Sequence, residues 1–198
     1  MQSHQAAIDV ELHQLRCDMK IMQMVPKKYM LFRNQSLTGN RYDKRLFSEL
    51  ELEVEFVQDN LSLAHAVGTL RGLHFRAPPA AQGKLVRCGR GAIFDVAADI
   101  RRGSPTYGQW EGYELTAENG HKLYVPVGFA HGFVTLEPDS EIVYKCTDYY
   151  APETQGAVRW DSCGIDWPLS IDLILSDKDV IALALADFVC PLVYGENS

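Results

Sequence analysis

The densest cluster of charged side chains in this sequence lies between residues 71 and 102. It holds seven cations and two acids, which is a local charge of +5 in a chain whose net charge is −7. The cations are Arg71, Arg76, Lys84, Arg87, Arg90, Arg101 and Arg102, and the acids are Asp95 and Asp99. Such an imbalance fits a site for an anionic ligand, and it fits equally well a set of strand positions that face solvent.

Two histidines stand in segments whose spacing suits a buried site. The segments are Gly72-Leu-His74-Phe-Arg76 and Pro126-Val-Gly128-Phe-Ala-His131. They resemble the two motifs of cupins, small β-barrels that often bind a metal. Here Arg76 replaces one imidazole, Lys84 follows, and no acid comes before Asp95. Metal sites need three or four convergent ligands, and cations repel a metal, so we expect the barrel without a metal.

Short β-rich segments must position these side chains. From Met19 onward, apolar runs alternate with Gly, Pro, Asn and Asp at a spacing of about 8–12 residues. The predicted strands are 53–57, 83–88, 91–99, 108–116, 122–126, 132–136 and 141–149. This spacing predicts an all-β sandwich or barrel. The resemblance to cupins narrows it to a double-stranded β-helix, that is, a jelly-roll barrel.

Helices are expected to be few and short. One is predicted over residues 43–51, and another opens at Ser176 and runs to about Leu185, with Asp177 and Asp179 in its first turn. Residues 1–18 are polar and show no clear pattern. We therefore expect an N-terminal extension over residues 1–18 and a single domain over residues 19–198.

Composition argues against several functional classes. The chain has 198 residues, 46% hydrophobic and 23% charged, which is typical of a globular protein. A net charge of −7 argues against a nucleic-acid binder, because phosphate neutralisation needs a basic surface. No apolar run is long enough for a membrane span. The five cysteines form no CxxC pair and no complete disulfide framework, so we expect a cytoplasmic protein.

Seven motifs in register resemble the dTDP-4-dehydrorhamnose 3,5-epimerase family. They cover roughly residues 19–180 in the family's order. They are Phe56-Val-Gln58-Asp59-Asn60, Leu70-Arg71-Gly72-Leu73-His74-Phe75, Gln82-Gly-Lys84-Leu-Val-Arg87, Phe94-Asp95-Val96, Pro126-Val-Gly128-Phe-Ala-His131-Gly-Phe133, Tyr144-Lys-Cys-Thr-Asp-Tyr149-Tyr150-Ala-Pro and Leu175-Ser-Asp-Lys178-Asp179. The resemblance implies a cofactor-free homodimer that converts dTDP-4-dehydro-6-deoxy-D-glucose, a dTDP-4-keto-6-deoxy sugar, into dTDP-4-dehydro-L-rhamnose.

The resemblance also implies roles for five residues in epimerisation at carbons 3 and 5. A proton must leave the carbon beside the 4-keto group and another must return on the opposite face, so one group cannot serve both faces. His74 matches the base and Tyr144 the acid. Asp179 matches the carboxylate that orients the histidine. Lys84 and His131 match residues beside the C4 oxygen, where a donor or positive charge stabilises an enolate.

Further positions match the family's contacts with the nucleotide and the sugar. Arg71 and Lys178 match nucleotide contacts, and an arginine offers bidentate geometry to a phosphate. Gln58 and Asn60 match polar contacts to substrate. Tyr150 matches an aromatic side chain that stacks on thymine.

Two stretches depart from the family's pattern. The stretch from Leu31 to Gly39 keeps only Arg33 of the substrate wall, and Gln155-Gly156 stands where Glu-Arg-Gly is usual. Both changes touch substrate contacts and leave the proton-transfer residues intact. Two other hypotheses therefore stay open: a single-site 3-epimerase or 3,4-keto-isomerase of a related dTDP-4-keto-deoxysugar, and a non-catalytic sugar-nucleotide-binding protein.

Overall fold

The computed structural model describes residues 30–32, 42–49, 52–168 and 172–195. The expected extension over residues 1–18 lies outside the described residues, and so does Arg33. The domain boundary before residue 19 therefore stays a prediction.

The described residues form ten strands and two short α-helices. The strands are β1 (Met30–Phe32), β2 (Gln58–Ala64), β3 (Leu70–Arg76), β4 (Lys84–Arg90), β5 (Ala92–Asp99), β6 (Trp110–Thr116), β7 (Lys122–Val125), β8 (Phe129–Thr135), β9 (Ser140–Cys146) and β10 (Gln155–Ala157). The helices are α1 (Lys44–Glu49) and α2 (Asp177–Val180), and a 3₁₀ turn covers Pro152–Thr154. No helix in this part of the chain is long and apolar enough to cross a membrane.

The strands make two five-stranded sheets. The first has the order β1-β7-β4-β9-β2, and the second has the order β10-β3-β8-β5-β6. Neighbouring strands in both sheets are antiparallel. The predicted all-β fold with short helices is confirmed.

Three apolar clusters of described residues pack against the two sheets. Successive side chains of a strand point to opposite faces, so a sheet can bury apolar residues on both faces. The central cluster joins both sheets, with Val86 and Ile142 from the first and Ile93 from the second. A second cluster packs Leu73, Phe75 and Val96 of the second sheet under C-terminal residues including Leu192. The third packs Phe47 of α1 on Leu85 and Tyr124 of the first sheet. Each sheet is thus covered on its outer face as well.

The inward rows change from apolar to polar along the strands. On β4 the inward side chains run from Lys84 through Val86, and on β9 they run from Cys146 through Tyr144 to Ile142. Because β4 and β9 pair antiparallel with Lys84 opposite Cys146, their polar ends coincide. One end of the interior is therefore dry core, and the other is lined by polar and ionisable groups.

Strand β3, which carries His74, was not among the predicted strands. Gly72 interrupts its pattern with a φ of +140°, and the pairing with β8 shifts register between Arg71 and His74. A Cβ on Gly72 would lie 2.5 Å from the Cα of Gly132 on β8. The two glycines let the strands approach closely beside the paired residues His74 and His131.

Two further sequence expectations need correction. The strand predicted over residues 53–57 is wrong, and the strand in this region is β2, which begins at Gln58. The helix predicted to reach Leu185 ends at Val180, because Val180 and Ile181 are exposed and a longer helix would have no apolar face to bury. The chain instead continues extended, and Leu183 accepts a backbone hydrogen bond from Arg159.

A buried ion pair orders the loop between β5 and β6 and packs against the turn before β8. Asp99 accepts hydrogen bonds from Arg101, Ser104 and Thr106, and its side chain has no solvent exposure. The Arg101 guanidinium lies 4.6 Å from the Phe129 ring centroid, and its stem fills the space where a Cβ on Gly128 would lie. The Asp99–Arg101 pair therefore supports the start of β8, the strand that carries His131.

We expect Asp99→Asn to destabilise the fold by about 3 kcal/mol at neutral pH, because it removes one charge of a buried pair. Burial alone would raise the pKa of Asp99, but the hydrogen bonds from Arg101, Ser104 and Thr106 hold that pKa below its ordinary 3.8. The stabilisation is therefore present above the unfolded-state pKa and is lost as pH falls through the folded-state value. Urea unfolding at pH 7 and about pH 2 should give a wild-type-to-variant gap that shrinks in acid, and an equal gap at both pH values would contradict this account.

Candidate active site

The polar end of the interior opens into a cavity of about 200 Å³. Its walls come from both sheets and from the C-terminal segment. The lining residues are Gln58, Asn60, His74, Phe75, Arg76, Gln82, Lys84, Tyr144, Cys146, Tyr150, Gln155 and Lys178. Seven positions predicted from the sequence are therefore brought to one cavity.

His74 on β3 forms a close pair with Asp179 of α2. The His74 Nε2 lies 2.6 Å from the Asp179 Oδ1, with the histidine side chain 17% exposed and the carboxylate fully buried. An ionised carboxylate only accepts hydrogen bonds, so Nε2 carries the proton and the neutral ring keeps its lone pair on Nδ1. This is the tautomer a general base on the cavity wall needs.

The segment around α2 holds Asp179 in its ionised form. Ser176 Oγ donates to Asp179 Oδ2 at 2.5 Å, and the Asp179 backbone N–H donates to the carbonyl of Ser176. Burial would raise the pKa of Asp179, but the hydrogen bonds from His74 and Ser176 outweigh it and hold that pKa below its usual value. Ser176 was read from the sequence only as the start of a helix, and it supports the predicted carboxylate.

Two effects oppose each other at His74. Burial lowers the pKa of the ring, and Lys178 and Lys84 lower it further, whereas Asp179 raises it. The net pKa lies below 6.5. The ring is therefore neutral at neutral pH, which is the form that can accept a proton.

Tyr144 faces the same cavity from the other sheet. It lies on β9 of the first sheet, and the neighbouring strand β2 supplies Gln58 and Asn60. Burial raises the pKa of Tyr144, and Cys146 adds to the effect while Arg76 opposes it. The phenol is thus protonated at neutral pH and can donate.

Cations dominate the rest of the cavity wall. Arg76, Lys84 and Lys178 line it, and no carboxylate is among the described lining residues. Asp179 adjoins the cavity through its contact with the His74 ring. Burial lowers the pKa of Lys84, and Cys146 opposes this effect while Arg76 adds to it. The cavity is suited to a ligand that is anionic or becomes so during reaction.

His131 has its own buried carboxylate. Its Nε2 lies 2.7 Å from Asp95 Oδ1, and both side chains are almost fully buried. The other oxygen, Asp95 Oδ2, is buried without a hydrogen-bond partner among the described residues. His131 lies opposite His74 in the pairing of β3 with β8, but it is not among the residues that line the cavity. Its contact with a C4 oxygen stays a prediction.

Two predicted contact residues, Arg71 and Arg33, are not among the described residues that line the cavity. Arg71 lies outside the cavity lining and donates to the carbonyls of Leu70 and Ile174, which ties the C-terminal segment to β3. Its role toward a nucleotide stays a prediction, and Arg33 lies outside the described residues.

Sequence reasoning passed over several residues that the structure brings to the site. Arg76, Gln82, Cys146 and Gln155 line the cavity, and Asp95 backs His131. Alternation along the strands was the available signal, because Arg76 stands two residues after His74 and Cys146 two residues after Tyr144.

The described residues contain no group of three or more His, Cys, Asp or Glu side chains arranged to hold a metal ion. Each histidine near the cavity is paired with one carboxylate, and the neighbouring strand positions carry Arg76 and Lys84. The expectation of a metal-free, cofactor-free site stays a prediction.

Comparison with known proteins gives a consistent result. A family model described as dTDP-4-dehydrorhamnose 3,5-epimerase matches residues 28–187. The dTDP-4-dehydrorhamnose 3,5-epimerase of Sinorhizobium fredii is 52% identical over 140 residues, which are 70% of this chain and 72% of that protein.

Solved structures share the fold. The dTDP-6-deoxy-D-glucose-3,5-epimerase of Legionella pneumophila, in complex with dTDP-4-keto-L-rhamnose, superposes with a TM-score of 0.77 at 40% identity, covering 85% of this chain and 93% of that one. A 3'-monoepimerase of Streptomyces bikiniensis, in complex with dTDP-quinovose, gives 0.75 at 31% identity, covering 82% and 86%. The expected cupin-like barrel is confirmed.

We expect Asp179→Asn to lower the pKa of His74, because it removes the neighbouring negative charge that favours the protonated ring. NMR titration of the His74 ring should give a midpoint below 6.5 in the wild type and a lower one in the variant. Asp139→Asn, which removes the carboxylate 2.7 Å from the exposed His65, is the matched control and should leave the His74 midpoint in place. An unmoved midpoint in Asp179→Asn would mean that the pair does not form in solution.

Proposed function

The chain belongs to the dTDP-4-dehydrorhamnose 3,5-epimerase family, and on that premise we propose that it epimerises carbons 3 and 5 of dTDP-4-dehydro-6-deoxy-D-glucose to give dTDP-4-dehydro-L-rhamnose. The relatives named for this activity are about half identical to it, and the Legionella structure holds the corresponding 4-keto-L-rhamnose nucleotide. The reaction needs one proton removed and another returned at each of two carbons.

One observation carries the proposal: a base and an acid face one cavity from different sheets. His74 stands on β3 of the second sheet, and Tyr144 stands on β9 of the first. A sugar ring between them presents one face to each side chain. Inversion at a carbon requires this arrangement, because removal and return of the proton occur on opposite faces.

Proton removal falls to His74. Its neutral ring takes the proton from the carbon next to the keto group, and the electron pair of the broken C–H bond moves into an enolate with charge on the C4 oxygen. Asp179 stabilises the imidazolium that forms, because the carboxylate is ionised and 2.6 Å away. Lys84, on the cavity wall, supplies positive charge toward the enolate oxygen.

Proton return falls to Tyr144. The phenol gives its proton to the carbon on the opposite face, and the enolate collapses back to the ketone. Arg76 lines the cavity with Tyr144 and lowers the cost of the phenolate that remains. Exchange with solvent then restores the phenol and the neutral imidazole for the second carbon.

The nucleotide end of the substrate fits the open side of the cavity. Lys178 lines it and offers charge to a diphosphate, and Tyr150 at the mouth is 62% exposed and offers a ring to a base. Arg71 lies at the start of the same strand as His74 and has further donors besides those it spends on two carbonyls.

The protein acts as a homodimer in this proposal. Strand β2 is the edge of the first sheet in the described residues, and its outward side chains Leu61 and Leu63 are 66% and 45% exposed. An apolar edge strand favours pairing with another chain. Gln58 and Asn60 face the cavity from the same strand, so a second copy docked there would border the site.

A cytoplasmic location is part of the same proposal. The four described cysteines, Cys88, Cys146, Cys163 and Cys190, are all free thiols. Unpaired cysteines fit a reducing compartment.

Incubation with the 4-keto sugar nucleotide in deuterated water tests the function directly. We expect deuterium at both C3 and C5 with the wild type, and none with His74→Asn, since His74 is the one histidine among the described residues that line the cavity. Label at a single carbon would indicate a single-site epimerase, and a moved carbonyl would indicate a keto-isomerase. A protein that binds dTDP but introduces no label would be a non-catalytic binder, and each of these three results would overturn the proposal.

Tyr144→Phe should separate proton removal from proton return. The variant lacks only the hydroxyl, so it should bind substrate and still exchange one proton through His74, while net inversion slows by about 10²–10⁴-fold, the usual contribution of general acid catalysis. The measurement is the ratio of deuterium wash-in to product formation. Tyr124→Phe, which removes a buried phenol outside the cavity, is the control. Wild-type turnover in Tyr144→Phe would make Tyr144 a packing residue only.

The dimer is tested by light scattering after size exclusion. We expect twice the mass of a 22.2 kDa chain for the wild type and a mass shifted toward one chain for Leu61→Glu, because a charge at the edge opposes strand pairing. Val189→Glu changes an equally exposed apolar side chain away from β2 and serves as the control. A monomeric wild type would remove the dimer from the proposal.

A further inference from the structure

The loop between β9 and the 3₁₀ turn carries exposed tyrosines at the cavity mouth. Tyr149 and Tyr150 are 66% and 62% exposed, so burial does little to fix their positions. Side chains from other elements hold the loop backbone instead. Gln82 Nε2 donates to the carbonyls of Asp148 and Tyr149, at 2.8 Å each, and Gln58 Oε1 accepts from the Tyr150 N–H at 2.9 Å.

Arg76 is the third anchor, and it alone also touches the ring. Its Nη1 donates to the carbonyl of Ala151 at 2.6 Å, which fixes the residue after Tyr150. Its guanidinium carbon lies 4.7 Å from the centroid of the Tyr150 ring. Arg76 ends strand β3, paired with Gln155 of β10, so the anchor stands on a sheet and not on another loop.

This geometry gives the Tyr150 ring a fixed orientation although most of its surface is in solvent. A cation over one ring face is attracted by the electrons of the ring, and a hydrogen bond from a charged donor is stronger than a neutral one. Arg76 occupies one face of the ring, and the side chain as a whole stays 62% exposed. A ring held in this way needs no further ordering when a planar group stacks on it, which lowers the cost of binding.

We infer that Arg76 is a positioning residue that orients the Tyr150 ring as a preformed platform for the nucleobase of the substrate. The inference rests on the proposed function and adds an arrangement of side chains that strengthens binding of the substrate's nucleotide. Arg76 acts through Tyr150, because its planar face is used by the ring and one of its donors by the Ala151 carbonyl. Its other N–H donors remain, so direct contact of the same guanidinium with a phosphate is the alternative that the test must separate.

A double-mutant cycle on the full-length protein tests this mechanism, with dTDP as the probe and calorimetry as the measurement. We expect Arg76→Gln to raise the Kd for dTDP about 3- to 30-fold, from the lost cation–π contact and charge-assisted hydrogen bond. Arg76→Lys keeps the charge but loses the planar contact with the ring, so its Kd for dTDP should lie between those of the wild type and Arg76→Gln. In a Tyr150→Ala background, Arg76→Gln should change the Kd less than about twofold, because the ring it positions is gone.

The control is Arg90→Gln. Arg90 also donates to a backbone carbonyl, that of Asp139, but lies outside the cavity, and its removal should leave dTDP binding unchanged. Equal losses from Arg76→Gln with and without the Tyr150 ring would overturn the inference and make Arg76 a direct ligand. If Arg76→Gln does not fold, Arg76→Lys carries the same cycle. A wild-type protein that fails to bind dTDP would instead contradict the proposed function.

Discussion

Asp179 has no contact with solvent, and a buried carboxylate is tolerated only when it is paired and hydrogen-bonded. His74 and Ser176 satisfy its two oxygens. This requirement joins two distant parts of the chain, because Asp179 comes from the C-terminal segment and His74 from β3. The chain on both sides of Asp179 covers the outer cluster around Leu73 and Phe75, through Ile165 before it and Leu192 after it. The pair at the proposed base therefore also links the C-terminal segment to the second sheet.

The interior between the sheets holds both the apolar core and the candidate reaction cavity. Two features of the strands cause this: the alternation of side chains along each strand and the register between strands. Alternation sends one row of each strand inward, and the antiparallel register then aligns the polar ends of those rows, as with Lys84 opposite Cys146. The dry end, around Val86 and Ile142, provides packing that needs no polar partners. Two sheets facing each other also place His74 and Tyr144 on opposing walls. A single sheet would place both on one side of any ligand.

Much of this arrangement is readable from the sequence, and what is missed has physical causes. Alternating segments between turn residues predict the two-sheet fold, and motif order brings out His74, Tyr144 and Asp179. Strand β3 escapes the pattern because Gly72 adopts a positive φ and carries no side chain. The C-terminal helix is overestimated because acids after Ser176 look like a first turn. The inward Asp179 shows that one of them serves another purpose.

Contacts between distant segments are the part that local patterns do not encode. Asp95 looks like a strand residue until β5 and β8 lie side by side and its carboxylate meets His131. Gln82 and Arg76 acquire their roles only when the loop at Tyr150 folds over them. In each case the informative quantity is a pairing across the sheet, and the side chain's own type says only that it needs a partner.

The cationic wall creates a conflict that the carboxylate resolves. Positive charge suits an anionic nucleotide and an enolate, but the same charge from Lys178 and Lys84 disfavours an imidazolium on His74. A base in such surroundings would be weak, since the proton it accepts adds one more positive charge. Asp179 is the neighbour that acts in the other direction, through both its hydrogen bond and its charge. Because it is held ionised by Ser176 as well as by His74, it can oppose the cations without drawing a proton itself. The base strength of His74 is thus set by burial and the ligand-binding cations, which lower its pKa, and by one buried anion, which raises it. The anion is effective because it lies buried beside the ring and not at the cavity mouth, where solvent would screen it.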